Sequence, residues 1–537
     1  MGPLRRTVNH NTFLNKSRCT ARLLTWFSSL VAIVILSVGG SSAQAQDWPM
    51  FGQNAANSSS TLDLTLWPVT VPALAPKWTF TTGGDVSARA AVVGGVAYFP
   101  DWGGYLWAVH AQTGKAVWSH QFSDYGLPAN THSRTSPAVV NGILYTGTQE
   151  GGWLLAINAG TGALIWKMQP EPTGPFPVIT TSPTVVAGIV YTGVASTEED
   201  VAISPTYPCC TARGSVVAVN ALNGKLIWKT YTIPEGYSGG SVWGSNPVVD
   251  IFRGTVFVGT GNNYSVPTTA AYTACIGKGG SEASCISPDD HIDSILALDM
   301  FTGTLKWSQR MIDWDQTGIT NGFDSWNVGC DFGSPNCPVP TGPDYDFGSA
   351  PNEITFLTAK GFKTIIGAGQ KSGLYYAFDP DTGAQLWRTQ VGPGSSLGGM
   401  EWGSATDGIR IYVAISNFYG IPSAAGSAGS WAALDPNTGK VLWQVADPNG
   451  SIDIGPVTAV NGVVYAASMG SSATAPTMLA LDASNGKTLW SFPAGSSVNA
   501  GATVSNGVVY WGSGYAHLGI PGFTGNNKFY AFSLKGW

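Results

Sequence analysis

One arrangement of apolar and polar positions recurs along the 537-residue chain. An apolar pair is followed by Ala, an apolar residue, Asn or Asp (His once), two variable residues, Thr-Gly or Asn-Gly, three residues and then Trp. It reads LWAVHAQTGKAVW ending at Trp118, LLAINAGTGALIW at Trp166, VVAVNALNGKLIW at Trp228 and ILALDMFTGTLKW at Trp307. It continues as YYAFDPDTGAQLW at Trp387, WAALDPNTGKVLW at Trp443 and MLALDASNGKTLW at Trp490. Two alternating apolar runs around a Gly-containing turn predict a tight β-hairpin. Before most of these hairpins lies a second strand pair, such as SPAVVNGILYTG or GPVTAVNGVVYAAS. Four strands per unit, at a period of roughly 45 to 80 residues, describe the blade of a β-propeller. An eighth blade is split between the ends: GATVSNGVVYWGS and FYAFSLKGW lack one strand, and APKWTF around Trp78 resembles the missing outer strand. Pairing first and last strands closes the ring and hides its edges. The expected fold is therefore all-β, an eight-bladed β-propeller in one domain over residues 46–537. A tandem β-sandwich would not explain one tryptophan at a fixed offset from every turn.

Composition agrees with this and removes other classes. Gly contributes 69 residues, which fit poorly into long helices. Charged residues make up 11% and the formal net charge is -6, so the chain lacks the basic face that a nucleic-acid partner requires. Aromatics at 11% argue against disorder.

Residues 1–45 read as an export address. A basic start (Arg5, Arg6, Lys16, Arg18, Arg22) precedes an apolar run from Leu23 to about Val38, and Ala43 and Ala45 supply a small-x-small cleavage pattern. The alternative is an uncleaved anchor, for which the apolar run is short. The expected mature chain begins near Gln46, is periplasmic or secreted, and has no stable membrane insertion after signal cleavage. Six of the seven cysteines lie beyond the address. In an oxidising compartment, neighbours pair most simply as Cys209 with Cys210, Cys275 with Cys285, and Cys330 with Cys337. None has CxxCH or CxxC spacing, which argues against covalent haem and a cysteine zinc site.

The repeat and the segment DWPMFGQNAANSS at Asp47 to Ser59 resemble the eight-bladed quinoprotein dehydrogenases that carry pyrroloquinoline quinone (PQQ). A noncatalytic outer-membrane assembly lipoprotein shares the docking motif, so a protein-binding scaffold stands as the alternative and activity must be argued from the site. The resemblance implies PQQ and Ca2+ as cofactors. In TTSPTVVAGIVYTGVASTEED it places a calcium-ligating carboxylate at Glu198, by spacing from Thr180, with Glu199 as the rival one residue on. In VFVGTGNNY it places a calcium-ligating amide at Asn262. In DYDFGSAPNEITFL it places the catalytic base and a further metal ligand at Asp346, with Tyr345 where the family has Trp. A rival base, Asp315 in IDWDQTG, keeps the Trp-Asp pair but lacks the strand that should follow. Lys371 in IIGAGQKSGLYYAFD matches a basic residue that bonds the quinone oxygens, and Trp243 matches the flat floor on which the quinone stacks. Thr180 and Arg134 fall at quinone-binding positions as well.

Cys209-Cys210 looks like the vicinal disulfide that covers the other face of the ring. In the family's better-known alcohol dehydrogenases that pair lies in an earlier blade, near the position of Leu127 to Asn130 here. A pair after the glutamate, as CCTARGSV, resembles the polyvinyl alcohol dehydrogenase branch. The implied activity is oxidation of secondary alcohols, polyols or polyvinyl alcohol, with electrons passed to a separate cytochrome c or other acceptor. Gly348, where lanthanide users carry an additional Asp, favours calcium. Segments Ser265 to His291 and Gly318 to Pro343, rich in Gly, Pro and polar residues, are expected to rim the entrance.

Overall fold

A computed structural model describes residues 46–244, 246–312 and 323–535. The export address and the rival base Asp315 lie outside the described residues.

The chain forms eight antiparallel sheets, each built on four strands. From inner to outer strand the first seven blades run Ala91–Val93 to Ala116–Gln121, Ala138–Val140 to Leu164–Met168, Thr184–Val186 to Leu226–Tyr231 and Val248–Asp250 to Leu305–Arg310. They continue with Asn352–Thr358 to Gln385–Gln390, Ala405–Thr406 to Val441–Ala446 and Thr458–Val460 to Thr488–Phe492. The eighth takes three strands from the C-terminal end, with Leu74–Thr81 paired antiparallel to Lys528–Leu534 as its outer strand. The expected closure by both ends of the chain is thus present.

The two kinds of turn differ. Inner hairpins are two-residue turns with positive φ at both positions, as at Asn141-Gly142 and Asn461-Gly462. The outer Thr-Gly turns, expected to be tight as well, are longer. In the second blade the Asn158 carboxamide oxygen accepts the N–H groups of Gly160 and Thr161, and Gly162 closes the turn at φ 75°.

That longer turn is the socket for the preceding blade. Each motif tryptophan donates its indole N–H to a carbonyl in the next blade's turn: Trp78 to Ala111 (3.0 Å), Trp118 to Ala159 (2.8 Å), Trp166 to Ala221 (2.9 Å) and Trp228 to Met300 (3.0 Å). The series continues with Trp307 to Pro380 (3.1 Å), Trp387 to Pro436 (3.1 Å) and Trp443 to Ala483 (2.9 Å), and Trp490 reaches Leu74 (3.1 Å). Several of these carbonyls take a second bond from a buried tyrosine of the second strand, as Ala221 does from Tyr145 and Met300 from Tyr191. The ring lies against the turn glycine: a Cβ on Gly114 would sit 2.7 Å from Trp78.

The segment after Gln46 threads the inner edges of the blades. Carbonyls of Trp48, Pro49, Ala55, Ala56, Ser58 and Ser59 accept N–H groups from Val92, Val139, Val249, Glu353, Thr406 and Ala459, one on each of six inner strands. Beside this segment the fully buried Arg89 donates to the carbonyls of Phe51 (2.6 Å) and Val457 (2.9 Å). Segments that enter the inner strands and those that leave the second strands meet at one end of the ring. The inner turns lie at the other.

Two matched substitutions test the socket. Gly114→Ala should cost about 2–4 kcal/mol, from left-handed backbone plus overpacking against Trp78. Gly94→Ala, at φ 57° with open space around it, should cost only about 1 kcal/mol. Urea denaturation of both variants measures the difference, and equal losses would contradict the role given to the turn glycines.

Candidate active site

Four segments converge at the end of the ring opposite the inner turns. Trp243 and Asp346 lie on chain entering the inner strands of blades four and five, while Asn262 and Lys371 follow those blades' second strands. Glycines let them approach. A Cβ on Gly348 would fall 2.9 Å from the Trp243 indole, and one on Gly261 would fall 2.8 Å from Asp346 Oδ1.

Asp346 is buried and held from several directions. The Asn262 N–H donates to Oδ1 at 2.7 Å, and the Trp243 indole N–H donates to Oδ2, also at 2.7 Å. Lys371 Nζ lies 3.1 Å from Oδ2 and 5.1 Å from the centre of the Trp243 ring. The same ammonium donates to both oxygens of Asp344 at 3.0 Å. Burial works to lower the Lys371 pKa, but Asp344, Asp346, Glu401 and Glu199 together hold it well above the usual lysine range, so it stays charged. Burial also drives the Asp344 carboxyl well above the ordinary value, against the pull of Lys371. Asp324 clamps this segment by accepting the backbone N–H groups of Asp344 (3.1 Å) and Tyr345 (2.8 Å). Burial pushes Asp324 up to about 7 and Glu401 up to about 7.

Asn262 has one committed and one open end. Its Nδ2 donates to the Trp326 carbonyl at 2.9 Å, which turns the amide oxygen inward; that buried Oδ1 has no hydrogen-bond partner among the described residues. A buried carbonyl-type oxygen without a partner is costly unless something else uses it.

The adjacent glutamates face different ways. Glu198, preferred from spacing as a metal ligand, is fully buried and spent on the cysteine loop. It accepts from the Tyr207 hydroxyl (2.6 Å) and from the N–H groups of Thr211 (2.7 Å) and Ala212 (2.6 Å). Glu199, the rival, is partly open and has no hydrogen bond to its carboxylate among the described residues. Burial raises its pKa well above the ordinary value, as do Asp200 and Asp346, and Lys371 opposes them. Glu199 therefore shares the electrostatic field of Asp346 and Lys371, while Glu198 fastens a loop.

The remaining expected residues surround this group. The Thr180 hydroxyl donates to the Trp243 carbonyl at 2.7 Å. Trp402 meets Trp243 edge-on at 5.4 Å, and the Arg134 guanidinium stacks on Trp402 at 4.3 Å. Phe51, Arg134, Thr180, Gly244 and Trp402 line a common cavity. Cys209 and Cys210 are disulfide-bonded, as are Cys275 with Cys285 and Cys330 with Cys337. Asn327 Nδ2 lies 3.9 Å from Cys209 Sγ and donates to the Tyr264 carbonyl at 2.9 Å, tying the vicinal pair to the segment that carries Asn262. Asp344, Asp324, Glu401 and Trp402 were not singled out from sequence. Only Asp344 carried a signal, as the first acid of Asp-Tyr-Asp, two residues before Asp346.

A family model described as outer membrane protein assembly factor BamB matches residues 65–276 and 427–535. A polyvinylalcohol dehydrogenase from Pseudomonas sp is 30% identical over 513 residues, covering 87% of this chain and 73% of the relative. Another, from Sphingopyxis sp. (strain 113P3), is 29% identical over 499 residues, covering 83% of this chain and 69% of the relative. Among solved structures, quinohemoprotein alcohol dehydrogenase from Comamonas testosteroni shares the fold with a TM-score of 0.69 at 19% identity, over 92% of this chain and 81% of its own. The matches to the family model and to these relatives each span most of the ring and agree with the docking motif and its eight blades, and the chain belongs to the quinoprotein family of the polyvinylalcohol dehydrogenases.

Proposed function

We propose that this protein is an exported PQQ- and calcium-dependent dehydrogenase that oxidises alcohols, with secondary alcohols and polyols, including polyvinyl alcohol, as the substrate class. The observation that carries this reading is the buried pair Asp346 and Lys371 against Trp243, beside the open amide oxygen of Asn262. The substrate class follows from the polyvinylalcohol dehydrogenase relatives and the placement of Cys209-Cys210 after the glutamates.

The residues present fit a hard cation. Asn262 Oδ1, Glu199 and Asp346 offer oxygen donors of the kind calcium takes, and the surrounding carboxylates outnumber the cations Lys371 and Arg134. Glu199, not Glu198, is the carboxylate we assign to the metal, because the hydrogen bonds to the Glu198 carboxylate all come from the Tyr207 to Ala212 loop. The quinone would rest on Trp243, which the bond to Asp346, the bare Gly348 and the edge of Trp402 hold rigid. Bound there, PQQ supplies the acceptor for the substrate's hydride, and calcium makes its carbonyl carbon more electrophilic.

The protein's own part is proton handling and positioning. Asp346 takes the hydroxyl proton of the alcohol. The Asn262 and Trp243 N–H groups fix both oxygens of that carboxylate before substrate arrives. Lys371, kept charged by its acidic neighbours, supplies positive charge where an oxygen gains electron density. Electrons leave to a separate acceptor such as a cytochrome c. A protein-binding scaffold would have no use for a buried lysine among carboxylates, since such groups cost stability.

Reconstitution with PQQ and calcium, followed by dye reduction with primary, secondary and polymeric alcohols, tests the activity. Asp346→Asn should retain the quinone's absorbance on the protein yet lose turnover by about a thousandfold. Unchanged turnover would remove Asp346 from the reaction. Glu199→Gln should raise the calcium concentration needed for activity. Glu198→Gln should instead lower unfolding stability by roughly 1–3 kcal/mol and leave the calcium requirement near that of the native chain. The opposite pattern would return the metal to Glu198.

A further inference from the structure

The end of the ring away from the proposed site carries an unusual set of exposed apolar side chains. Seven of the eight inner strands are three residues long or shorter, whereas that of blade five, Asn352–Thr358, has seven and pairs with Gly361–Gly369. Glu353 occupies the same place on the threading segment as Val92 or Val249 on the other blades, so the additional residues project beyond the neighbouring turns. Four residues per strand extend about 13 Å. Leu357 and Phe362 face each other near the tip of this hairpin and are 71% and 80% exposed.

The neighbouring turns continue the pattern. In blade four Phe252 is fully exposed and Ile251 is 57% exposed, and in blade six Ile409 is 67% exposed. The loop with Leu62, Leu64, Trp67 and Val69, all exposed, covers the inner turns of blades seven and eight. There Pro68 lies against Gly462 and Thr65 against Gly507. An arc over blades four to eight is therefore studded with large apolar groups. The inner turns of blades one to three present only Gly94-Gly95, Asn141-Gly142 and Ala187-Gly188, while the outer turns at this end add Leu222 in blade three and Phe301 in blade four, 73% and 60% exposed. Scattered exposed apolar residues need no explanation, but a clustered set on one face does.

We propose that this face rests on a lipid bilayer with anionic headgroups, with the tips of blades four to six in its interfacial layer. Shape favours lipid over a second copy: the apolar groups stand on projecting turns, which a soft bilayer accepts and a rigid partner would need matching pockets to receive. Charge favours it too. The hairpin from Thr355 to Lys363 carries Lys360 and Lys363 and no carboxylate, the basic flank that an interfacial anchor uses. The chain also enters the ring on this face, where the Gln46 N–H donates to Asn506 Oδ1 in the inner turn of blade eight. Docked this way, the ring would leave its opposite end open to substrate.

The test uses the chain from Gln46 onward, which contains every strand of the ring, mixed with vesicles of phosphatidylethanolamine and phosphatidylglycerol or of phosphatidylcholine alone. Native protein should sediment with the anionic vesicles and less with the neutral ones. Binding should fall at least roughly tenfold for each of Phe252→Ser and Phe362→Ser. Lys360→Gln with Lys363→Gln should erase the preference for anionic lipid. Solution turnover of a small alcohol should not change in any of these variants. Hydrogen exchange of the native chain provides a readout without substitution: vesicles should slow exchange in residues 251–254 and 355–363. Equal binding by the native chain and the Phe252→Ser and Phe362→Ser variants, protection elsewhere only, or a dimer through this face without vesicle binding would each overturn the proposal.

Discussion

The ring depends on a socket made by a glycine without a side chain beside a turn carbonyl. Seven of the eight tryptophans place a ring against such a glycine and the N–H on the carbonyl, and Trp490 bonds Leu74 at the closure, so one side chain both buries a large apolar area and fixes the direction of the next blade. Repeated around the ring, this geometry makes the position of a residue relative to its blade equivalent to a position around the axis. Residues as distant in sequence as Trp243 and Asp346 then meet at 2.7 Å. The threading segment from Trp48 to Ser59 works from inside, satisfying inner-strand N–H groups that would otherwise face an empty channel.

The site spends stability that the sockets supply. A buried lysine pairs with two carboxylates while further acids lie within its field, and burial raises the pKa of Asp344, Asp324, Glu401 and Glu199. Apolar residues of similar volume would cost less at these positions. The same excess of negative charge suits an added cation, and the Asn262 oxygen, without a partner among the described residues, suits one that prefers oxygen. Gly348 acquires a second reason to lack a side chain, since the Trp243 indole fills the space where a Cβ would go.

Much of the fold was legible because the docking motif repeats a composite of turn, glycine and tryptophan that periodicity alone reveals. The split eighth blade followed from counting strands. Turn length is less legible: Thr-Gly suggests a two-residue turn, yet the preceding Asn or Asp side chain builds a longer loop whose carbonyl the tryptophan needs. At the site, Trp243, Asn262, Asp346 and Lys371 could be named from local patches and do come together. The choice between Glu198 and Glu199 could not be made from spacing. Successive residues of a helix point about 100° apart, and Glu198–Val201 is helical, so a shift of one residue decides which carboxylate faces the axis. Asp324 and Glu401 lie on irregular loops without any period, and only the closed ring places them near Lys371. The projecting hairpin of blade five is not legible in the sequence, because its additional residues continue the alternation of an ordinary strand.

The measurement that bears most directly on this account is the anomalous difference density of a crystal of the protein with PQQ and calcium. The account places the calcium peak against Asn262 Oδ1 and Glu199, with the quinone on Trp243. A peak coordinated by Glu198, or quinone and metal bound away from Asn262 and Trp243, would contradict it.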